Sequence, residues 1–104
     1  MATKIINTPK PPYYAVIFTS IRTDGDNGYN EMSDKIERLI LNQPGYLGME
    51  SARNELGITV SYWKDMESIN RWSQNLDHKQ AKEKGKKLWY KSYKVRISKV
   101  EMEY

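Results

Sequence analysis

The chain has 104 residues, with 17 Lys and Arg against 13 Asp and Glu, one His and no Cys; 38% of it is hydrophobic and 29% charged. That length holds one domain, and a chain without cysteine has neither disulfides nor thiolate metal sites. The longest apolar run, Tyr13 to Phe18, falls far short of the roughly 18 residues a membrane helix needs, and MATKIINTPKPP has too short an apolar stretch for a signal peptide. A soluble, cytoplasmic protein with no membrane partner is expected.

Residues 1–12 carry Pro9, Pro11 and Pro12, which hold the backbone extended and cannot donate to a sheet interior, so this segment reads as an arm ahead of a domain at 13–104. From Tyr13, YYAVIFTSI is aromatic and β-branched on both alternating faces, the pattern of a central strand. RTDGDNG then supplies the positive backbone angles of a loop. From Tyr29 to Asn42, apolar Tyr29, Met32, Ile36, Leu39 and Ile40 recur at helical spacing until Pro44-Gly45 ends the helix.

Two strand-like runs come next, Tyr46 to Arg53 and Gly57 to Trp63, and read as a hairpin. In the second, Ile58, Val60 and Tyr62 alternate with Thr59 and Ser61, which places the first three towards the core and the others on a more polar surface. Asp65 can cap a helix carrying Met66, Ile69 and Trp72, and Asp77 a second segment carrying Ala81, Gly85, Leu88 and Trp89, so a broken or bent helix is expected. The last run shows Tyr93, Val95 and Ile97 in alternation and then shifts phase to Val100, Met102 and Tyr104; the shift requires a bulge, or a far end that faces a different surface.

The order strand, helix, strand, strand, helix, strand predicts an α+β, ferredoxin-like split βαββαβ unit with an antiparallel four-stranded sheet and both helices on one face. Such a sheet has a second face to cover. Eight Tyr, three Trp and one Phe exceed what one helix-covered face needs, which predicts a homodimer packed sheet on sheet.

No nucleophile elbow, phosphate loop or metal-ligand cluster is present, and no metal is expected. His78, one turn before Ala81, is a candidate general base; the plainer alternative is a surface histidine in a first helical turn. Trp63 and Trp72, with Phe18 and Tyr62, are candidates for a flat apolar pocket around a small aromatic ligand. Between Lys79 and Lys99 nine basic residues and one acid interleave with aromatics, but GITVSY lacks the basic-Gly-aromatic signature of base-stacking sheets. The run reads as a solvated face, and no nucleic-acid partner is expected.

The stretches QPGYLGMES, GITVSYWKDMESINRW and DHKQAKEKGKKLWYKSYKVRISKVE resemble the antibiotic biosynthesis monooxygenase domain family, in the small stand-alone branch related to haem-degrading monooxygenases. The resemblance implies a dimeric α+β barrel of two ferredoxin-like units. It also implies one of two activities: cofactor-independent oxygenation of polycyclic phenols, or haem degradation with haem as substrate and cofactor. For the first, Trp63 matches the family's Trp, while Ser61 stands where an Asn is expected and Ile69 where a Tyr is expected. For the second, Trp72 matches the Trp, Phe18 and Thr19 stand at the Asn position, and Lys82 stands near the His position.

The leading expectation is therefore oxygenation of a small electron-rich aromatic compound without a cofactor. His78 would serve as base beside Trp63, Trp63 and Trp72 would hold the ring, and Ser61 or Tyr62 would hydrogen-bond the developing anion. Phe18 and Trp89 would complete the substrate wall. Haem binding or degradation, and ligand binding without catalysis, are the alternatives.

Overall fold

Strand β1 (Tyr13–Arg22) is apolar on both faces because it pairs along both edges, with β3 (Leu56–Trp63) on one side and β4 (Tyr90–Val100) on the other. The computed structural model describes residues 4–104, apart from the side chains of 76–78. With β2 (Tyr46–Arg53) beyond β3, the order is β2-β3-β1-β4 and every neighbour is antiparallel. This is the ferredoxin-like arrangement that the element order predicts.

Helix α1 (Tyr29–Ile40) begins after a loop in which Gly25, Asn27 and Gly28 all take positive φ. Asp26 closes its first turn, its carboxylate accepting from the backbone N–H of Gly28 at 3.0 Å and of Asn30 at 3.1 Å. Helix α2 (Met66–Ser73) is capped by Asp65, which accepts from the Ser68 N–H at 2.8 Å, as its position predicts. Helix α3 (Leu76–Lys84) then runs into a π-helical turn, Gly85–Trp89, so the expected broken helix has two breaks, at Gln74–Asn75 and at Gly85. The expected cap at Asp77 lies outside the described side chains.

The core sits at one end of the helix-covered face. Ile40, Trp63, Ile69 and Trp72 are buried there, with Tyr14, Tyr46 and Leu39 packed around them. Trp63 is fully buried, its ring 5.4 Å from Tyr46 and 6.4 Å from Trp72. Gly45 makes the turn into β2 at φ +81°, and its backbone passes so close to Ser68 that a Cβ would stand 2.0 Å from that hydroxyl oxygen.

The register corrects the face assignment of β3. Val16 pairs with Ser61 and Phe18 with Thr59 on the helix side, so Ile58, Val60 and Tyr62 lie on the open side of the sheet. Small polar side chains, Ser61 and Thr59, face the helices beneath a cavity, whereas Trp63 on the same side packs in the core. The phase shift of the last strand arises because its far end faces a different surface. Tyr93, Val95 and Ile97 share the helix side, whereas Val100 pairs with Tyr13 on the open side; the register irregularity falls at the other end, beside Arg22.

Candidate functional site

The helix side of the sheet can be followed rung by rung. Tyr46, Trp63 and Tyr14 form the core rung. The next two rungs, Met49–Ser61–Val16–Ile97 and Ser51–Thr59–Phe18–Val95, floor a cavity of about 520 Å³. Met32, Ser33, Ile36 and Glu37 of α1 form one wall; Trp72 of α2, Ala81 and Lys82 of α3, and Lys86 and Trp89 of the π-helical turn form another. That volume and a mainly apolar lining suit a small organic ligand.

The π-helical turn is placed by its contacts. Its backbone is tied to the loop after β1, with the Thr23 N–H donating to the Trp89 carbonyl at 2.9 Å, and the Trp89 indole N–H donates to the Asn27 carbonyl at 3.0 Å. Trp89 is thereby held edge-on to Tyr29, 5.7 Å between centroids. The extra residue of a π-turn rotates the residues beyond it about the helix axis, and here both Lys86 and Trp89 reach the same cavity.

The floor offers the hydroxyls of Ser51, Thr59 and Ser61, and Ser33, Glu37, Lys82 and Lys86 enter from the walls. Trp63 donates its indole N–H to Ser61 Oγ at 2.9 Å, which leaves the Ser61 hydroxyl proton free to donate elsewhere. The Ser51 and Thr59 hydroxyls bond each other at 3.0 Å, which leaves one O–H between them. Glu37 is the one carboxylate in the described wall. Tyr90 stands at the far end, its hydroxyl held above the ordinary phenol range by burial and then by the neighbouring Tyr29 phenol, so it remains a neutral donor.

Of the residues singled out from the sequence, Phe18, Ser61, Trp72 and Trp89 line this cavity together. Trp63 does not reach it; it packs in the core and touches the site through Ser61. Tyr62 is on the opposite face, where its hydroxyl donates to Glu50 Oε1 at 2.5 Å and its ring stacks 5.9 Å from Tyr13. Burial and the Glu50 carboxylate push the Tyr62 hydroxyl up to about 12. Tyr62 is thus corrected from cavity wall to open-face residue, because the two-residue period of the strand puts it back to back with Ser61 and Trp63. His78 lies outside the described side chains. Sequence reasoning missed Glu37, which sits between apolar stripe positions of α1, and Tyr29, counted there as core.

A haem-ligating imidazole would be expected near Lys82, and Lys82 does line the cavity. An ammonium group has no lone pair to offer iron, so the residues at that place do not fit haem. Among the described residues no three His, Asp or Glu side chains gather around a common point, and no helix is long and apolar enough to cross a membrane.

A split βαββαβ sheet with an apolar cavity under its helices defines a ferredoxin-like α+β domain. The chain belongs to the monooxygenase af470-like family, whose model matches residues 24–99. It is 51% identical over 96 residues to YqjZ of Bacillus subtilis (strain 168), an uncharacterised protein, covering 90% of this chain and 84% of that one. Its fold is similar to that of SnoaB from Streptomyces nogalater, a cofactor-independent oxygenase, with TM-score 0.75 and 8% identity over 89% of this chain and 97% of the other. A Caulobacter crescentus CB15 protein provisionally assigned as an antibiotic biosynthesis monooxygenase gives TM-score 0.75 and 10% identity over 88% and 92% of the two chains. The sequence resemblance to that wider family agrees with these matches.

Proposed function

We propose that the protein is a monooxygenase of the antibiotic biosynthesis type that oxygenates a small electron-rich aromatic compound in the cavity beneath its helices, without a cofactor. The observation that carries this reading is the cavity itself, about 520 Å³, floored by Phe18 and walled by Trp72 and Trp89, with isolated polar groups on its floor. A flat ring system is held by such walls, and the polar groups orient it.

The reaction is written for an aromatic methylene flanked by activating rings. A base takes one proton from the CH₂, and the anion passes one electron to dioxygen. The radical pair forms a C–O bond and takes up a proton as a hydroperoxide. Loss of water then leaves the carbonyl, so that CH₂ and O₂ become C=O and H₂O. Ser61, its oxygen already engaged by Trp63, is oriented to donate to the developing oxyanion. His78 is the base proposed from the sequence; Glu37, in the described wall, is the other group able to accept the proton.

The same proposal includes a homodimer packed through the open sheet faces. Ile21, Leu56 and Ile58 stand 41%, 51% and 41% exposed on that side, apolar surface that a second copy would cover.

The test is product formation from anthrone in air, measured by chromatography. Anthraquinone should form well above the rate of autoxidation, and Ala81→Trp, which fills the cavity, should abolish the excess. Equal rates with and without the wild-type protein would count against oxygenation of this substrate class. Loss of activity in Glu37→Gln but not in His78→Ala would assign the base to Glu37, and the converse to His78.

A further inference from the structure

Beyond the two rungs that floor the cavity, the next helix-side rung is Arg53–Gly57–Ser20–Tyr93, with Arg22 opposite Tyr90 after it. The two arginines stand just beyond the cavity wall, next to Tyr29, Tyr90 and Tyr93, which line it. Arg53 donates to Ser20 Oγ and, at 3.5 Å, to the Ser20 carbonyl. Its guanidinium lies flat over Gly57, where a Cβ would meet it at 2.2 Å, so the absent side chain at Gly57 is what lets the arginine lie down on the sheet. Arg22 places its guanidinium carbon 3.6 Å from the centre of the Tyr29 ring, which itself lines the cavity.

Neither arginine is neutralised. Among the described residues neither has a carboxylate partner, and the Arg22 Nε is buried with no hydrogen-bond acceptor. A buried guanidinium N–H without a partner is costly and calls for an acceptor. Tyr90, opposite Arg22 on β4, has a hydroxyl that feels the charge of both arginines and a ring that packs against Phe18 at 5.2 Å, at the end of the cavity floor. Donors thus come from Arg22, which also donates to the Gly25 carbonyl at 3.2 Å, from Arg53, and from the mutually bonded Tyr29–Tyr90 hydroxyl pair, which keeps one free O–H; no anionic acceptor is among them.

We infer that this end of the cavity binds a carboxylate, so that its ligand is an aromatic acid whose ring lies over Phe18 and whose carboxylate is held by Arg22 and Arg53 beside Tyr90. Planar guanidinium groups match a carboxylate with paired N–H bonds. The inference rests on the reading of the cavity as an aromatic-ligand site and adds the charge of the ligand to it.

The experiment is calorimetric titration of the full chain with 2-naphthoate and with 2-naphthamide, which share a ring system and differ in charge. The wild type should bind the acid about tenfold tighter than the amide, the effect of one charge-assisted contact. Arg53→Gln and Arg22→Gln should each erode that preference by weakening the acid more than the amide, and Arg53→Lys should retain part of it. If Arg22→Gln fails to fold, Arg53→Gln carries the test, because Arg53 is exposed and outside the core. Equal affinities for acid and amide, or a preference that survives Arg53→Gln, would overturn the inference and leave the cavity reading standing. No binding of either compound would overturn both.

Discussion

The Trp63 indole donates to Ser61 Oγ at 2.9 Å, joining a fully buried core residue to a hydroxyl on the cavity floor. In the proposed reaction Trp63 is a positioning residue, acting through Ser61. Trp63→Phe keeps most of the packing and removes the donor; it should cost about 1–3 kcal/mol in urea unfolding, from a lost hydrogen bond and a partly unfilled site. The Ser61 hydroxyl is then free to turn, so kcat for anthrone should fall while KM stays near the wild-type value. Equal kcat in the two proteins would separate Trp63 from the site altogether.

Gly45 and Ser68 make a second coupling, between the entry to β2 and the first turn of α2. Ser68 cannot swing away from an added Cβ without losing its hydroxyl bond to Asp65 at 2.7 Å, and the positive φ of Gly45 opposes any side chain. Gly45→Ala should destabilise the fold by about 2–3 kcal/mol, the sum of a strained backbone and a steric conflict. An unchanged urea midpoint would show that this turn relaxes freely.

Asp65 carries a pH dependence whose sign is set by its hydrogen bonds. The Ser68 hydroxyl and then the Ser68 N–H hold its carboxyl below the ordinary value of 3.8. A carboxyl depressed in the folded state adds stability above its unfolded pKa and loses it as pH falls through the folded one. Asp65→Asn keeps a capping acceptor without the charge. The stability gap between wild type and Asp65→Asn should be constant above about pH 5 and close below about pH 4, since an unfolded Asp titrates near 3.9. A gap that persists at pH 2 would contradict the assignment.

The open sheet face tests the proposed dimer. Ile58 is the third residue of β3, 41% exposed and on the side away from the helices. Ile58→Glu places a charge where two copies would meet, and a buried unpaired carboxylate is strongly disfavoured. Analytical ultracentrifugation at micromolar concentration should show a dimer for the wild type and a monomer for Ile58→Glu. A monomeric wild type would remove the dimer from the account.

Much of this architecture is legible in the chain. The two-sided apolar run of β1 marks a central strand, the helical spacing from Tyr29 to Asn42 marks an amphipathic helix that in fact ends at Ile40, and Asp65 marks a helix start. The face of β3 is not legible, because alternation says which residues share a side without saying which side holds the helices. Ile58, Val60 and Tyr62 carry the apolar signal, yet it is Thr59 and Ser61 that face the cavity. Nor does helical periodicity announce the π-helical turn at Gly85–Trp89, whose extra residue breaks the spacing on which such a reading depends. Arg22 and Arg53 are brought to one end of the site by pairing across β1, β3 and β2, a relation that appears only once the register is known.

The central claim is that the cavity turns over an aromatic substrate with dioxygen, and an oxygen electrode measures it most directly. Anthrone added to the purified protein should draw down oxygen in saturable fashion, one O₂ for each anthraquinone formed, and Trp72→Ala, which removes a wall of the cavity, should raise KM severalfold. Oxygen uptake that never exceeds that of anthrone in buffer, or that is unchanged by Ala81→Trp, would contradict the account.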